Sequence, residues 1–254
     1  MENDDRRLAG QVAVVTGGNR GIGAAVAQGL AAAGADVAIT YHRSTQDAED
    51  VQRAVHGMGR SCLIQATDVA DPAQMTALAE VTARRLGQPT IWVNLAGADI
   101  LTGSFARQSD EEKLQRLIAV DLLGTVRGSW VAAEHLVRGG VVINTSWDLA
   151  LRGMAGREAE MFGAVKGGIT GFSLSLARSL APTQRVNVIA PGWIETAFAR
   201  EDLSEGAYAE IAQRMPMQRF GHGEDVAEAV IYLASPAASY ITGQVLMING
   251  GLTS

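Results

Sequence analysis

The residues Thr16-Gly17-Gly18-Asn19-Arg20-Gly21-Ile22-Gly23 have the types and spacing of a turn built to hold an anion. An apolar run, Val12–Val15, leads into it and an Ala-rich stretch, Ala24–Ala33, leads out, so it reads as a tight link from a buried strand to a helix. Glycines there serve three needs: positive φ, close approach of backbone to phosphate, and close packing of helix on strand. The helix start adds unpaired N–H groups and the positive end of its dipole, which together suit the pyrophosphate of a dinucleotide. A second group lies far downstream. Ser146 directly follows an apolar run, and Phe162 and Lys166, four apart on a helix, share one face, an aromatic ring beside an ammonium group. Asp121, Asp148 and Glu160 add carboxyls. Asp121 reads either as a catalytic base or as a structural partner of Lys166.

Three further positions fit a dinucleotide. About 20 residues beyond the glycine turn, an acidic residue would hold the ribose 2′-hydroxyl of NAD. This chain has Tyr41-His42-Arg43-Ser44 there instead. With Arg20 in the turn and Arg43 here, the position suits the extra 2′-phosphate of NADP through charge-assisted hydrogen bonds; solvated surface arginines are the plainer alternative. Asp68, beside Val69, can accept from the adenine amino group or can cap the helix that starts near Asp71-Pro72. Asn94, Ala96 and Gly97 form a small-residue turn where a cofactor could cross a sheet edge.

The elements that position these residues alternate. Strands are expected at 12–15, 36–40, 61–66, 90–97, 141–145, 185–189 and 240–251, and helices at 24–33, 45–58, 72–86, 110–137, 157–181 and 223–234. Such alternation implies one α/β domain, a doubly wound parallel sheet of about seven strands with helices on both faces. Ligands bind such sheets at the carboxyl ends of the strands, where the glycine turn, Arg43, Asp68, the Asn94 to Gly97 turn and Ser146 lie. Between 197 and 221, Phe198, Met215, Met217 and Phe220 stand among polar residues. They suit either a lid, about 191–221, over an uncharged substrate or ordinary packing.

Composition narrows the partners. At 254 residues, with no linker, repeat or low-complexity tract, a single domain is the simpler organisation. A net charge of −6 without a basic face argues against nucleic acid. One cysteine, Cys62, excludes an internal disulfide and suits a reducing compartment. No apolar run reaches the roughly 18 residues of a membrane span and the start lacks a signal-peptide core, so a cytoplasmic protein is expected. The four histidines, His42, His56, His135 and His222, share no metal-ligand spacing.

Taken together, the Thr16–Gly23 turn, Asp68-Val69, Asn94 to Gly97, Ser146, Lys166 and Pro191-Gly192 resemble the short-chain dehydrogenase/reductase family, in its order and over nearly the whole chain, from about Leu8 to Gly251. The Tyr240 to Gln244 ending and the basic turn after the second strand are most similar to 3-oxoacyl-[acyl-carrier-protein] reductases. The resemblance implies a Rossmann-type fold binding NADP(H), with NAD(H) the lesser alternative. It implies cofactor contacts from Gly17, Asn19, Arg20, Gly21, Ile22, Gly23, Tyr41, Arg43, Asp68, Val69, Asn94, Ala96, Gly97, Lys166, Pro191, Gly192, Ile194 and Thr196. It also implies a homotetramer built through the long helices and the last helix and strand, with a mixed assembly alongside an active relative as a further possibility.

In that family a tyrosine four residues before the lysine moves the proton, a serine holds the substrate oxygen, and an asparagine on the long helix supports a relay water. Ser146 and Lys166 match. The tyrosine position is Phe162 and the relay asparagine is Asp121, so the catalytic set reads Ser146, Lys166, Asp121 and Phe162 with no phenol. No tyrosine lies between Tyr41 and Tyr208 to replace it. Ser146 and Phe162 are also slightly far apart for the family, with Trp147, Asp148 and Glu160 between them. Two departures with an altered intervening loop argue for natural divergence. The expected activity is hydride transfer between NADP(H) and a carbonyl or alcohol, an acyl thioester being one candidate, with water, Ser146, Asp148 or Glu160 as substitute acid. A nucleotide-binding partner subunit or sensor without turnover is the alternative, as is non-redox isomerisation or dehydration with Asp121 or Asp148 as base.

Overall fold

The structure is a computed structural model and describes residues 7–195 and 204–253. Thr196 and Phe198 lie outside the described residues. Seven parallel strands form one sheet in the order β3-β2-β1-β4-β5-β6-β7. They are β1 (Val12–Thr16), β2 (Asp36–Tyr41), β3 (Cys62–Ala66), β4 (Ile91–Asn94), β5 (Val141–Thr145), β6 (Arg185–Pro191) and β7 (Val245–Ile248). Among the described residues eight α-helices connect them: α1 (Gly21–Ala32), α2 (Thr45–Gly57), α3 (Pro72–Arg85), α4 (Asp110–Leu117), α5 (Gly124–His135), α6 (Arg157–Leu180), α7 (Glu205–Arg214) and α8 (Gly223–Ala234).

Period-two alternation along continuously apolar strands builds two cores. Ala13, Val15, Val37, Ile39, Ile91, Val93 and Ile143 face α1, α2 and α8. Their neighbours Val14, Ala38, Trp92, Val142 and Val186 face α3, α5 and α6. Strand order reverses between β1 and β4, which opens a crevice at their carboxyl ends. Register aligns those ends, pairing Thr16 with Asn94 and Asn94 with Asn144.

Three expected boundaries shift. The stretch 110–137 is helical only as far as His135, where Leu136 turns extended, and it includes a π turn at Ile118–Leu123, with Asp121 inside it. Such widened turns carry one extra residue per turn and re-aim a side chain. The last strand shrinks to Val245–Ile248, because Gly243 adopts φ 67° and its N–H bonds Val186, which ends the preceding segment as a turn. The fourth strand ends at Asn94, where Leu95 and Ala96 turn to donate to Thr16. No described helix is long and apolar enough to cross a membrane. Cys62 is free and buried, and burial pushes its thiol up to about 12, so it stays protonated.

A buried polar chain ties the sheet centre to the α5/α6 layer. Asn94 Nδ2 donates to Asn144 Oδ1 at 2.8 Å and to Ser129 Oγ at 3.2 Å, and Asn144 Nδ2 donates to Ser173 Oγ at 2.9 Å. Removing one member strands its partners away from water. Asn144→Ala should therefore destabilise the fold by about 3 kcal/mol, read calorimetrically as a Tm lower by roughly 6–12 °C.

Candidate active site

The glycine turn is shaped by what surrounds it. Gly17 sits at φ 66°, and a Cβ on it would lie 2.8 Å from the Ala96 Cα. A Cβ on Gly23 would lie 2.0 Å from the Gly17 carbonyl oxygen, so any side chain there would push α1 off the turn. The Thr16 hydroxyl accepts from the N–H groups of Leu95 (3.1 Å) and Ala96 (3.2 Å), and the Thr40 hydroxyl accepts from the Gly17 N–H at 2.9 Å. These bonds pin the ends of β1, β2 and β4 together beneath the turn. The first turn of α1 has neither a capping side chain nor a carboxylate. Its N–H groups and dipole therefore face an open anion position. Asn19 and Ile22 are half-buried beside it, and Arg20 and Gly21 are exposed.

At the adenosine end, the two readings of Asp68 separate. Asp71 is the cap of α3, accepting from Ala73 and Gln74, whereas Asp68 binds only its own turn through the Ala70 N–H. Asp68 is half-exposed, two residues beyond the end of β3. Val69 is buried in the core under α3 and α5, and Tyr41 packs partly against the opposite core under α1 and α2. Arg43 is exposed, with its guanidinium 4.9 Å from the centroid of Phe105. Arg116, on α4, approaches the same ring to 4.1 Å. Neither Phe105 nor Arg116 belongs to a sequence motif, and only the tertiary fold brings them beside Arg43.

The Asn94 side chain is buried and spent on the chain through Ser129 and Asn144, so a contact from this residue to a ligand would have to come from its backbone. Ala96 and Gly97 then form the turn floor, and a Cβ on Gly97 would lie 3.4 Å from Asp121 Oδ2.

Charge concentrates at the other end of the crevice. Lys166 Nζ lies 2.8 Å from Asp121 Oδ2, with the Asp121 side chain 2% exposed and that of Lys166 12%. The second oxygen of Asp121 accepts from the Ala98 N–H at 2.7 Å. The π turn, α6 and the segment after β4 are thereby joined through one carboxylate. The structural alternative for Asp121, pairing with Lys166, is the arrangement present.

Ser146 is turned away from Phe162. Its hydroxyl lies 2.9 Å from the Lys166 carbonyl oxygen and 2.8 Å from the Thr170 hydroxyl, and it is buried against α6. Trp147 instead meets Phe162, ring to ring at 6.2 Å. Where a hydroxyl pair was expected, two aromatic rings stand together. Glu160 is exposed and paired with Arg157 at 2.8 Å, outside the crevice. Asp148 is buried at 1% exposure; one oxygen accepts from Asn249 Nδ2 at 3.3 Å and the other has no partner. Burial raises its pKa above the ordinary carboxylate value.

The turn after β6 packs tightly on these residues. Pro191 accepts from the Asp148 N–H, and a Cβ on Gly192 would lie 2.7 Å from Asn249 Cβ and 2.9 Å from Asp148 Oδ2. Ile194 is buried and bridges to Gly221, returning the segment around α7 to the sheet. Of the apolar residues expected in a lid, Met215 and Phe220 are buried packing residues, with Phe220 stacked on Tyr208 at 4.1 Å. Met217 alone of the described ones is largely exposed.

A family profile described as enoyl-(acyl carrier protein) reductase matches residues 17–253. The chain is 35% identical over 246 residues to the 3-oxoacyl-[acyl-carrier-protein] reductase of Escherichia coli, a match covering 96% of this chain and 97% of that one. Among solved structures it is similar to a short-chain dehydrogenase/reductase from Serratia marcescens, with a TM-score of 0.88 and 36% identity over 97% of this chain and 99% of that one. A short-chain dehydrogenase from Burkholderia cenocepacia, solved in complex with NADP, gives a TM-score of 0.88 and 35% identity over 98% of this chain and 100% of that one. A parallel seven-stranded sheet, a glycine turn at its switch point and a match spanning nearly the whole sequence agree on one assignment: the chain belongs to the short-chain dehydrogenase/reductase family of oxidoreductases and resembles its 3-oxoacyl-[acyl-carrier-protein] reductases.

Proposed function

We propose that this chain binds NADP(H) and interconverts a carbonyl and an alcohol in the manner of the 3-oxoacyl reductases, with an impaired proton step. The cradle fits a dinucleotide: Gly17 and Gly23 leave no room for side chains, α1 opens without a carboxylate, and Arg20 and Arg43 stand where a 2′-phosphate would need cations. The relative solved with NADP supports the same cofactor. Bound there, the nicotinamide supplies or accepts hydride. Phe162 contributes packing and no proton, and Ser146 spends its hydroxyl on α6, so the substrate oxygen lacks both hydroxyls that the family would offer it. The observation that carries this reading is the closed Lys166–Asp121 pair beside Phe162. A lysine with no phenol to activate has received a carboxylate as its counter-charge.

That same pair favours one further reading, a nucleotide-binding partner subunit or sensor with no turnover. Association of copies is supported by apolar side chains left exposed on the helices and the last strand, among them Leu123, Trp130, Leu174 and Leu246, and we extend the proposal to a homotetramer.

Losing a positioned general acid costs about 10²–10⁴ in rate. With a short 3-oxoacyl thioester, Phe162→Tyr should oxidise NADPH at least about 10²-fold faster than native protein; equal rates would show that a substitute donor already operates. Asp121 matters to the size of that gain, because an ammonium neutralised by a carboxylate lowers a neighbouring phenol's pKa less than a free one. The double variant Phe162→Tyr/Asp121→Asn should therefore show its acid–base limb at lower pH than Phe162→Tyr alone, read from pH profiles of kcat/KM.

For Asp148, the folded pKa lies above the unfolded value of about 4. The folded state then holds that proton more tightly, so stability falls as pH climbs from about 4 through the raised folded value and levels off beyond it. Scanning calorimetry from acid to neutral pH should find a decline in native Tm that Asp148→Asn lacks; parallel profiles would count against a raised pKa.

A further inference from the structure

We propose that Phe105 is an internal occupant of the purine slot: its ring lies against both Arg43 and Arg116 where the adenine of the nucleotide would stack, and it leaves when the nucleotide binds. The inference rests on the reading that the chain binds NADP(H).

Topology locates the slot. Arg43 lies two residues beyond the end of β2, and Arg116 projects from α4, which follows β4; β2 and β4 flank β1 on either side of the crevice. The two guanidinium carbons stand 4.9 Å and 4.1 Å from the centre of one flat ring. Arg116 also lies within electrostatic reach of Asp68, from β3's end, and of Asp121, inside the crevice. The ring thus sits where the segments that follow β2 and β4 come together, with the carboxylate that follows β3 in electrostatic reach of Arg116.

The ring's own attachments are weak. Phe105 opens a single 3-10 turn, Phe105–Arg107, and belongs to none of the buried apolar clusters. Its neighbours Gly103, Ser104 and Ala106 are exposed, and Gly103 sits at φ 56° with open space around it. A phenyl ring held chiefly by cations, on a short exposed turn, can be exchanged for another π-face at little cost.

The cations are also poised for a stronger ligand. Among the described residues neither Arg43 nor Arg116 has a carboxylate within ion-pair distance; Arg116 Nε donates to the Asp99 carbonyl at 3.3 Å. Burial and then the Arg43 charge hold the Arg116 pKa below its usual value, the mark of two like charges sharing one corner. Phe105 offers them only a quadrupole. An adenosine carrying a 2′-phosphate offers a larger π-face and a dianion near Arg20 and Arg43, so it should displace the ring.

Calorimetric titration of native protein, Phe105→Ala and Phe105→Trp with NADPH, adenosine 2′,5′-bisphosphate and reduced nicotinamide mononucleotide tests this. Removing the occupant should tighten both adenine-bearing ligands about fivefold, the worth of one exposed cation–π contact. Phe105→Trp should weaken them, and the mononucleotide, which lacks adenine, should respond to neither change. If NADPH binds native protein and binds Phe105→Ala equally or more weakly, Phe105 is a clasp or a bystander; the proposal falls and the cofactor reading stands. If no protein binds any of the three ligands, the cofactor reading falls and takes this proposal with it.

Discussion

The ion pair between Lys166 and Asp121 is the constraint on which the crevice depends. Both partners are withdrawn from water, which costs several kcal/mol per charge unless the geometry and the remaining hydrogen bonds compensate. Here they do, because the second Asp121 oxygen takes the Ala98 N–H and the pair closes at 2.8 Å. One carboxylate thus ties together three elements that also share an apolar cluster: the π turn between α4 and α5, the segment leaving β4, and α6. Removing either partner would leave an uncompensated charge at the base of the site, a loss of about 3–5 kcal/mol.

That pair also explains why the departures from the family pattern belong together. A phenol four residues before Lys166 would share its ammonium and need it free. With Phe162 in that place, an unpaired buried ammonium would be a liability, and Asp121 removes it. Trp147 against Phe162 fills the remaining space with rings, and Ser146 turns to bond α6. The changes are mutually consistent, as neighbouring substitutions in one packed site must be. At the far end of the crevice the chemistry of anion binding is untouched, because it depends on backbone and glycine geometry more than on side chains.

Much of this was legible from residue order. The glycine turn read correctly because only glycine tolerates φ 66° at position 17 and a carbonyl 2.0 Å from where a Cβ on Gly23 would be; these are local and steric demands. Helix α8 was legible to its ends because acidic residues open it and its apolar face is periodic. The final strand was overextended because a β-rich composition around Tyr240 says nothing of the Gly243 turn that delays pairing until Val245. The π turn left no trace in periodicity, since one extra residue in a turn does not break a helical pattern.

What the sequence by itself determined was the parallel α/β architecture, the glycine turn between β1 and α1 and the absence of a phenol before Lys166. Each follows from residue type and spacing along one element. Which way a side chain faces at the end of an element was decided only by tertiary structure. Asn94 and Ser146 had the identities of site residues and are turned inward, because buried polar partners on α5 and α6 claim their hydrogen bonds. Phe105 and Arg116 had no such identities and meet Arg43 in space, because the fold brings the segments after β2 and β4 together. Hydrogen-bond satisfaction and cation–π contact both depend on partners many residues away in sequence, so no local pattern could have announced them.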